Sequence, residues 1–209
     1  MIKPTMSVLE DLDTICQHGQ LLSTINKKDI FQVLFVVLDE KPATIIDWTP
    51  PEDDEQDRFD QFFTAIQTLP LNTHTDTNKN CIILARNSKT LIKLQYSVNA
   101  EVEDAQLNGN LLGYPKTAIQ FYQNTNNAPK LVERDFIKSE TEYSVNEYMT
   151  ATQYTNYVPK PKHETIHYTI KHNIHRYEIL QSLQQLISQT QHSHLYTFLE
   201  TTQKPSNKY

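Results

Sequence analysis

The sequence predicts an α+β fold: a small mixed three-stranded sheet packed with several helices and completed by a long amphipathic C-terminal helix. Three observations carry this expectation. Apolar residues recur at helical spacing along most of the chain. Three short apolar runs have the length and composition of strands. One apolar stripe extends through residues 162–189, far longer than an ordinary surface helix needs. Helices outnumber strands and no segment repeats, which is the pattern of helices covering a small sheet.

The elements follow in order. Ser7 reads as the N-cap of a first helix carrying Leu9, Leu12, Ile15, Cys16, Leu22 and Ile25, and Asn26-Lys27-Lys28-Asp29 breaks it. Residues 30–38 are β-branched, aromatic and almost wholly apolar, which predicts a buried strand. Asp39-Glu40-Lys41-Pro42 reads as a turn and residues 43–48 as the second strand of a hairpin, with Pro42 kept out of the ladder. Pro50 and Pro51 open a helix whose Phe59, Phe62, Phe63, Ile66 and Leu69 share a face, and Pro70 ends it. The polar residues 71–80 read as a loop, the most mobile part of the first half. Residues 81–85 form a third strand, and Asn87 or Ser88 caps a helix carrying Leu91, Ile92 and Leu94.

A further helix is expected over residues 100–112. Gly113 stands where a left-handed residue would end it, and Pro115 suits the first turn of a new helix with Ala118, Ile119 and Phe121 inward. Gly109 would let the two helices approach closely. Residues 124–129 are turn-rich, residues 131–138 have no decided period, and residues 139–162 read as a Tyr-, Thr- and Asn-rich connector. Ile166, Ile170, Ile174, Tyr177, Leu180, Leu183 and Ile187 then step by three and four, and this stripe outweighs the short alternation Ile166, Tyr168, Ile170. A short helix over 195–199 and a fraying tail, 202–209, complete a single domain spanning residues 1–201.

Composition narrows the function classes. With 209 residues and 38% apolar content, the chain is long enough for one sizeable core. The net charge is −6 and no run of Lys or Arg exceeds two residues, so the basic stripe that nucleic acid or an acidic membrane surface requires is missing. No signal-peptide-like segment opens the sequence, and the longest apolar stretch, Val33 to Leu38, is too short to span a bilayer. Cys16 and Cys81 stand far apart, which fits two structural thiols in a reducing, cytoplasmic compartment; a single disulfide is the alternative. Only three glycines are present, so a phosphate-cradling glycine loop and a G-x-S-x-G elbow are both missing.

Two segments, Lys41-Pro42-Ala43-Thr44-Ile45-Ile46-Asp47-Trp48 and Gly109-Asn-Leu-Leu-Gly-Tyr-Pro-Lys-Thr-Ala-Ile-Gln-Phe121, together resemble an uncharacterised prokaryotic family with a G-x-LLGYP turn before a helix. That family has no established activity. Many of its members carry a Cys-Cys pair just after the proline; here those positions are Thr117 and Ala118, so thiol chemistry at that place is not open to this chain. The resemblance implies a shared fold unit. From the residues alone, Gly113-Tyr114-Pro115 is punctuation between helices. Its functional alternative is a ligand site of Tyr114, Lys116 and Thr117, with free N–H groups at the helix start facing an anion.

His163-Glu164-Thr165-Ile166-His167 matches H-E-x-x-H, in which two histidines one helical turn apart bind Zn²⁺ and the glutamate activates its water. His163 and His167 would be the ligands and Glu164 the base. Against this, the motif opens its helix directly after Pro159-Lys-Pro-Lys162, and the metzincin continuation is missing. A third ligand on the same straight helix lies out of reach: Glu178 is about 16 Å beyond His167, and His192 about 40 Å beyond His163. It would have to come from upstream, from residues such as His18, His74, Glu133 or Asp135. The acidic run Glu52, Asp53, Asp54, Glu55, Asp57 and Asp60 reads as a solvated helix start complementing the dipole, and Trp48 with the Phe59, Phe62 and Phe63 face reads as core. Tyrosines 143, 148, 154 and 157 read either as a contact surface or as a cover over the core. The expectation is a cytoplasmic, non-catalytic protein without a cofactor that binds a partner protein or small ligand; the alternative is a zinc hydrolase built on the histidine motif.

Overall fold

A computed structural model of the protein describes residues 4–100, 104–124, 154 and 163–202. Among these, helix α1 covers Met6–Gly19, α2 Lys27–Val37, α3 Gln56–Thr68, α4 Ser88–Val98, α5 Ala105–Leu111, α6 Lys116–Asn124, α7 His163–Ile187 and α8 Ser193–Glu200. Strands β1 Ala43–Asp47, β2 Asn72–Asp76 and β3 Cys81–Ala85 form one sheet in the order β1-β3-β2. The α+β class, the three strands and the long C-terminal helix are as expected. Both strand pairs are antiparallel, so the sheet is not mixed.

β3 lies in the middle and all five of its residues are buried. Its register with β1 sets Ile45 opposite Ile83 and Ile46 opposite Ile82. The pleat sends successive residues to opposite faces. Ile46, Ile82 and Leu84 enter the larger core with α1, α2, α3, α7 and α8, whereas Ala43, Ile83 and Ala85 meet Leu94 of α4 and Leu112 in a second cluster. α1 packs along α3 and α8. α8 has no cap from His192; instead Asp13 of α1 accepts a hydrogen bond from the Leu195 N–H at 2.7 Å.

Two elements correct the sequence reading. Residues 30–38 are not a strand, so the expected hairpin with residues 43–48 does not exist. They belong to α2, which Asn26 caps by accepting from the Lys28 N–H at 2.9 Å. The backbone of Asn26 in turn hydrogen-bonds the Asp29 carboxyl, a reciprocal cap. α2 is buried from Ile30 to Val36, so it shows no amphipathic period to tell it from a buried strand. The supposed breaker is its start.

The second correction concerns residues 71–80, which are not merely a loop. They contain β2, which forms the actual hairpin with β3. The Asp76 side chain closes the turn by accepting from the N–H groups of Asn78 and Lys79 at 3.0 and 3.2 Å, and Asn80 takes a positive φ of 48°. β2 is polar throughout because it is an edge strand held by its ladder more than by a core face. The first helix is capped by Thr5 rather than Ser7 and ends at Gly19. The expected connector over 139–162, the segments at 125–138 and the tail beyond 202 lie outside the described residues, apart from Tyr154.

The glycine punctuation is as read. Gly113 has φ +74°; its N–H donates to the Asn110 carbonyl and that of Tyr114 to the Gly109 carbonyl, the paired bonds of a Schellman ending. α6 starts at Lys116, with the Pro115 carbonyl accepting from Ala118 and Ile119. A Cβ on Gly109 would lie 2.5 Å from Ile119 Cγ1, so α5 and α6 meet through this glycine. Gly113→Ala combines left-handed strain with a Cβ 2.8 Å from Pro42 Cδ. It is expected to lower the unfolding free energy by at least about 1 kcal/mol, measured by urea denaturation.

Candidate functional site

The site grows out of the end of α2. Asp39 adopts a left-handed φ of 69°, and the Glu40 N–H donates to the Phe35 carbonyl at 2.8 Å, so the chain turns sharply out of the helix. Three neighbours pin this turn. Asp39 forms a close ion pair with Arg86, whose backbone N–H also donates to the Pro42 carbonyl at 3.1 Å. Glu40 faces His175 Nε2 of α7 at 3.2 Å. Gly113 lies against the Pro42 ring. The two segments carrying the family resemblance therefore touch one another here.

The turn delivers Lys41 into the interior, where it is 3% exposed. Its Nζ donates to Gln32 Oε1 at 2.8 Å and stands 5.4 Å from the centre of the Tyr114 ring. Gln32, itself fully buried, donates through Nε2 to the Tyr154 carbonyl at 3.2 Å, and Arg176 Nη1 donates to the same oxygen. The Arg176 guanidinium lies 4.6 Å from the centre of the Phe35 ring. Tyr154 is buried edge-on to Phe31 and Phe35. Lys41 thus joins Tyr114, packed on the smaller core cluster, to Gln32 beside the larger one.

α7 contributes a polar inward stripe. Thr169, Asn173 and Arg176, spaced by four and three residues, are all buried, while Leu180, Leu183 and Ile187 continue the face as apolar core. Among the described residues, both amide atoms of Asn173 and the Nδ1 of His172 are buried without a hydrogen-bond partner.

The electrostatics follow from burial. Burial draws the Lys41 pKa well below the usual lysine value; the positive Arg176 adds to this and Asp29 opposes it. Burial raises the Asp29 carboxyl to about 6, with Asp47 adding to the rise. Burial raises Asp47 as well. The return of the chain explains why these two acids meet: β1 runs back for about 13 Å beside α2, from Lys41 towards the level of Asp29. Tyr114 is pushed up to about 12, chiefly by burial. His172 is lowered to about 4 by burial, Arg176 and His175.

Of the residues singled out in the sequence, Tyr114 and Tyr154 belong to this cluster. Lys116 and Thr117 are exposed on the first turn of α6. The backbone of residues 163–167 is helical, which sets His163 and His167 one turn apart, but their side chains and that of Glu164 lie outside the described residues. His18 is half-buried at the end of α1, His74 sits in β2, and Glu133 and Asp135 lie outside the described residues. Among the described residues no three His, Cys, Asp or Glu side chains are grouped to hold a metal ion. Cys16 and Cys81 are both free and buried. Trp48, Phe59 and Phe63 stack with ring centres 4.5 to 5.9 Å apart, as a packing reading requires. No helix of the described residues is long and apolar enough to cross a membrane.

Sequence reasoning missed Lys41, Gln32 and Arg176, whereas Tyr154 was among the tyrosines read as a contact surface or a cover over the core, and it is buried in the core. The one available signal was the helical spacing of Thr169, Asn173 and Arg176, a polar stripe beside the apolar one. Compared with known proteins, the chain matches no family profile, no curated protein and no solved structure.

Asp29 provides a pH test. Its pKa is higher folded, about 6, than the ordinary 3.8, so the folded state binds the proton more tightly. The stability this contributes is complete below pH 3.8 and is lost as pH rises towards 6. Asp29→Asn removes the titration, so thermal midpoints measured across this window should decline less steeply than in the wild type.

Proposed function

We propose that this chain is a non-catalytic binding protein that holds a small anionic ligand at the Lys41–Arg176 cluster. Lys41 carries the reading. A buried ammonium costs several kcal/mol unless it is paired. Among the described residues the contacts of Lys41 are an amide oxygen and an aromatic ring, with no carboxylate within ion-pair distance. A ligand carboxylate or phosphate would supply the missing charge. Arg176 adds a second cation, and Asn173 offers a donor and an acceptor that are unpartnered among the described residues, on the same helix face. Two free buried thiols support a reducing compartment, and we place the protein in the cytoplasm.

Lys41→Met keeps the length of the side chain and removes its charge. Thermal unfolding in rising phosphate or acetate is the measurement. The wild-type midpoint should climb with the logarithm of anion concentration once binding saturates. The variant should not respond, and its own midpoint should equal or exceed that of the wild type, because the desolvation cost is gone. A wild-type midpoint indifferent to both anions sinks the reading.

The second reading is a zinc-dependent hydrolase using His163, Glu164 and His167. The helical backbone from His163 onwards favours it, since it gives the two histidines the one-turn spacing that joint ligation needs. Bound metal should be measured in untagged protein beside the His163→Ala/His167→Ala double variant. Stoichiometric zinc lost in the variant would bear this reading out; zinc-free wild-type protein would end it.

A further inference from the structure

α4 packs on the sheet through Leu94 and turns another face outward. Lys89, Ile92, Lys93 and Tyr96 are spaced by three, one and three residues, so they share that face. All four are exposed: Ile92 is 61% and Tyr96 83% accessible, the two most exposed large apolar side chains among the described residues. Neither lysine forms an ion pair among the described residues. Residues 77–100 contain four basic residues and no acidic one, although the whole chain carries −6; Arg86 is paired with Asp39 and Lys79 donates to the Val98 carbonyl, which leaves Lys89 and Lys93 as the charges of this face.

The complementary surface is on the same chain. Glu52, Asp53, Asp54, Asp57 and Asp60 are exposed around the start of α3, without ion pairs among the described residues. Within this run Glu55 is held by the N–H and hydroxyl of Ser23, and Asp60 accepts from Gln56 Nε2 at 2.8 Å. α3 packs in the larger core cluster and α4 against the smaller one, so the two charged surfaces belong to opposite faces of the sheet.

We infer that the outward face of α4 is a docking surface whose occupant is the acidic start of α3 in a second copy of this chain. Pairing two α4 faces with each other would gather Lys89 and Lys93 of both copies into one contact with no acid among the four positions of the face, and like-charge repulsion disfavours that. The contact joins unlike surfaces, so it continues from copy to copy unless a ring closes. Ile92 and Tyr96 supply the apolar contact, and the charges set orientation and salt dependence.

Sedimentation velocity of the full chain over a concentration series, at low and high salt, tests this. Mean mass should rise with concentration at low salt and fall back at high salt. Lys89→Glu/Lys93→Glu and Asp53→Lys/Asp54→Lys alter exposed positions only, and circular dichroism checks that both keep the fold. Each should weaken self-association at least about tenfold, and an equimolar mixture of the two should restore it, because each reversed surface then meets its complement. A chain that stays monomeric at low salt, an association untouched by the reversals, or a mixture that fails to recover each overturns the inference.

Discussion

β3 is buried on both faces, and most of the architecture follows from that constraint. A central strand whose five residues are all inaccessible needs apolar cover on both sides, and a three-stranded sheet cannot provide it. α4 closes one face, and α1, α2 and α3 with the C-terminal helices close the other. The strands at either edge can then differ. β1 carries Thr44 and Ile46 into the larger core, whereas β2 holds its place by pairing with β3 and is polar along its length.

The turn between α2 and β1 links the two layers. Its left-handed Asp39, the Asp39–Arg86 ion pair and the Glu40–His175 contact hold the backbone from the β3 side and the α7 side together. This rigidity is what allows Lys41 to remain inside. A lysine on a loose loop would swing into water and recover its hydration, since its four-carbon stem is flexible. Here Pro42 lies against Gly113, and the amine is committed to Gln32 and the Tyr114 ring. Strain and desolvation therefore meet in one short segment, and functional groups tend to occur at such places.

Particular residues show why some of this was legible in the sequence. Gly113, Pro115 and Gly109 act locally: a left-handed cap, a helix start and a close approach leave the same signature in any fold. Cys81-Ile82-Ile83-Leu84-Ala85 could be read as a buried strand because it is short, apolar and bounded by polar residues. Residues 30–37 have the same character yet are helical, and burial on every side erases the period that would have separated helix from strand. The deciding marks were Asn26 and Asp29 acting as a reciprocal cap. β2 escaped because an edge strand stabilised by its ladder needs no apolar alternation.

By itself the sequence determined the α+β class, the presence of most helices, the glycine-marked end of α5, the apolar second half of the C-terminal helix and the lack of a basic stripe. These depend on interactions within a few residues, or on summed charge. Only the tertiary structure decided that Lys41, Gln32, Arg176 and the Tyr154 carbonyl share one buried cluster. Gln32 and Arg176 are 144 positions apart, and their meeting depends on how α2 and α7 pack. Burial is what turns an ordinary lysine and an ordinary aspartate into groups with displaced pKa values, and burial belongs to the assembled fold.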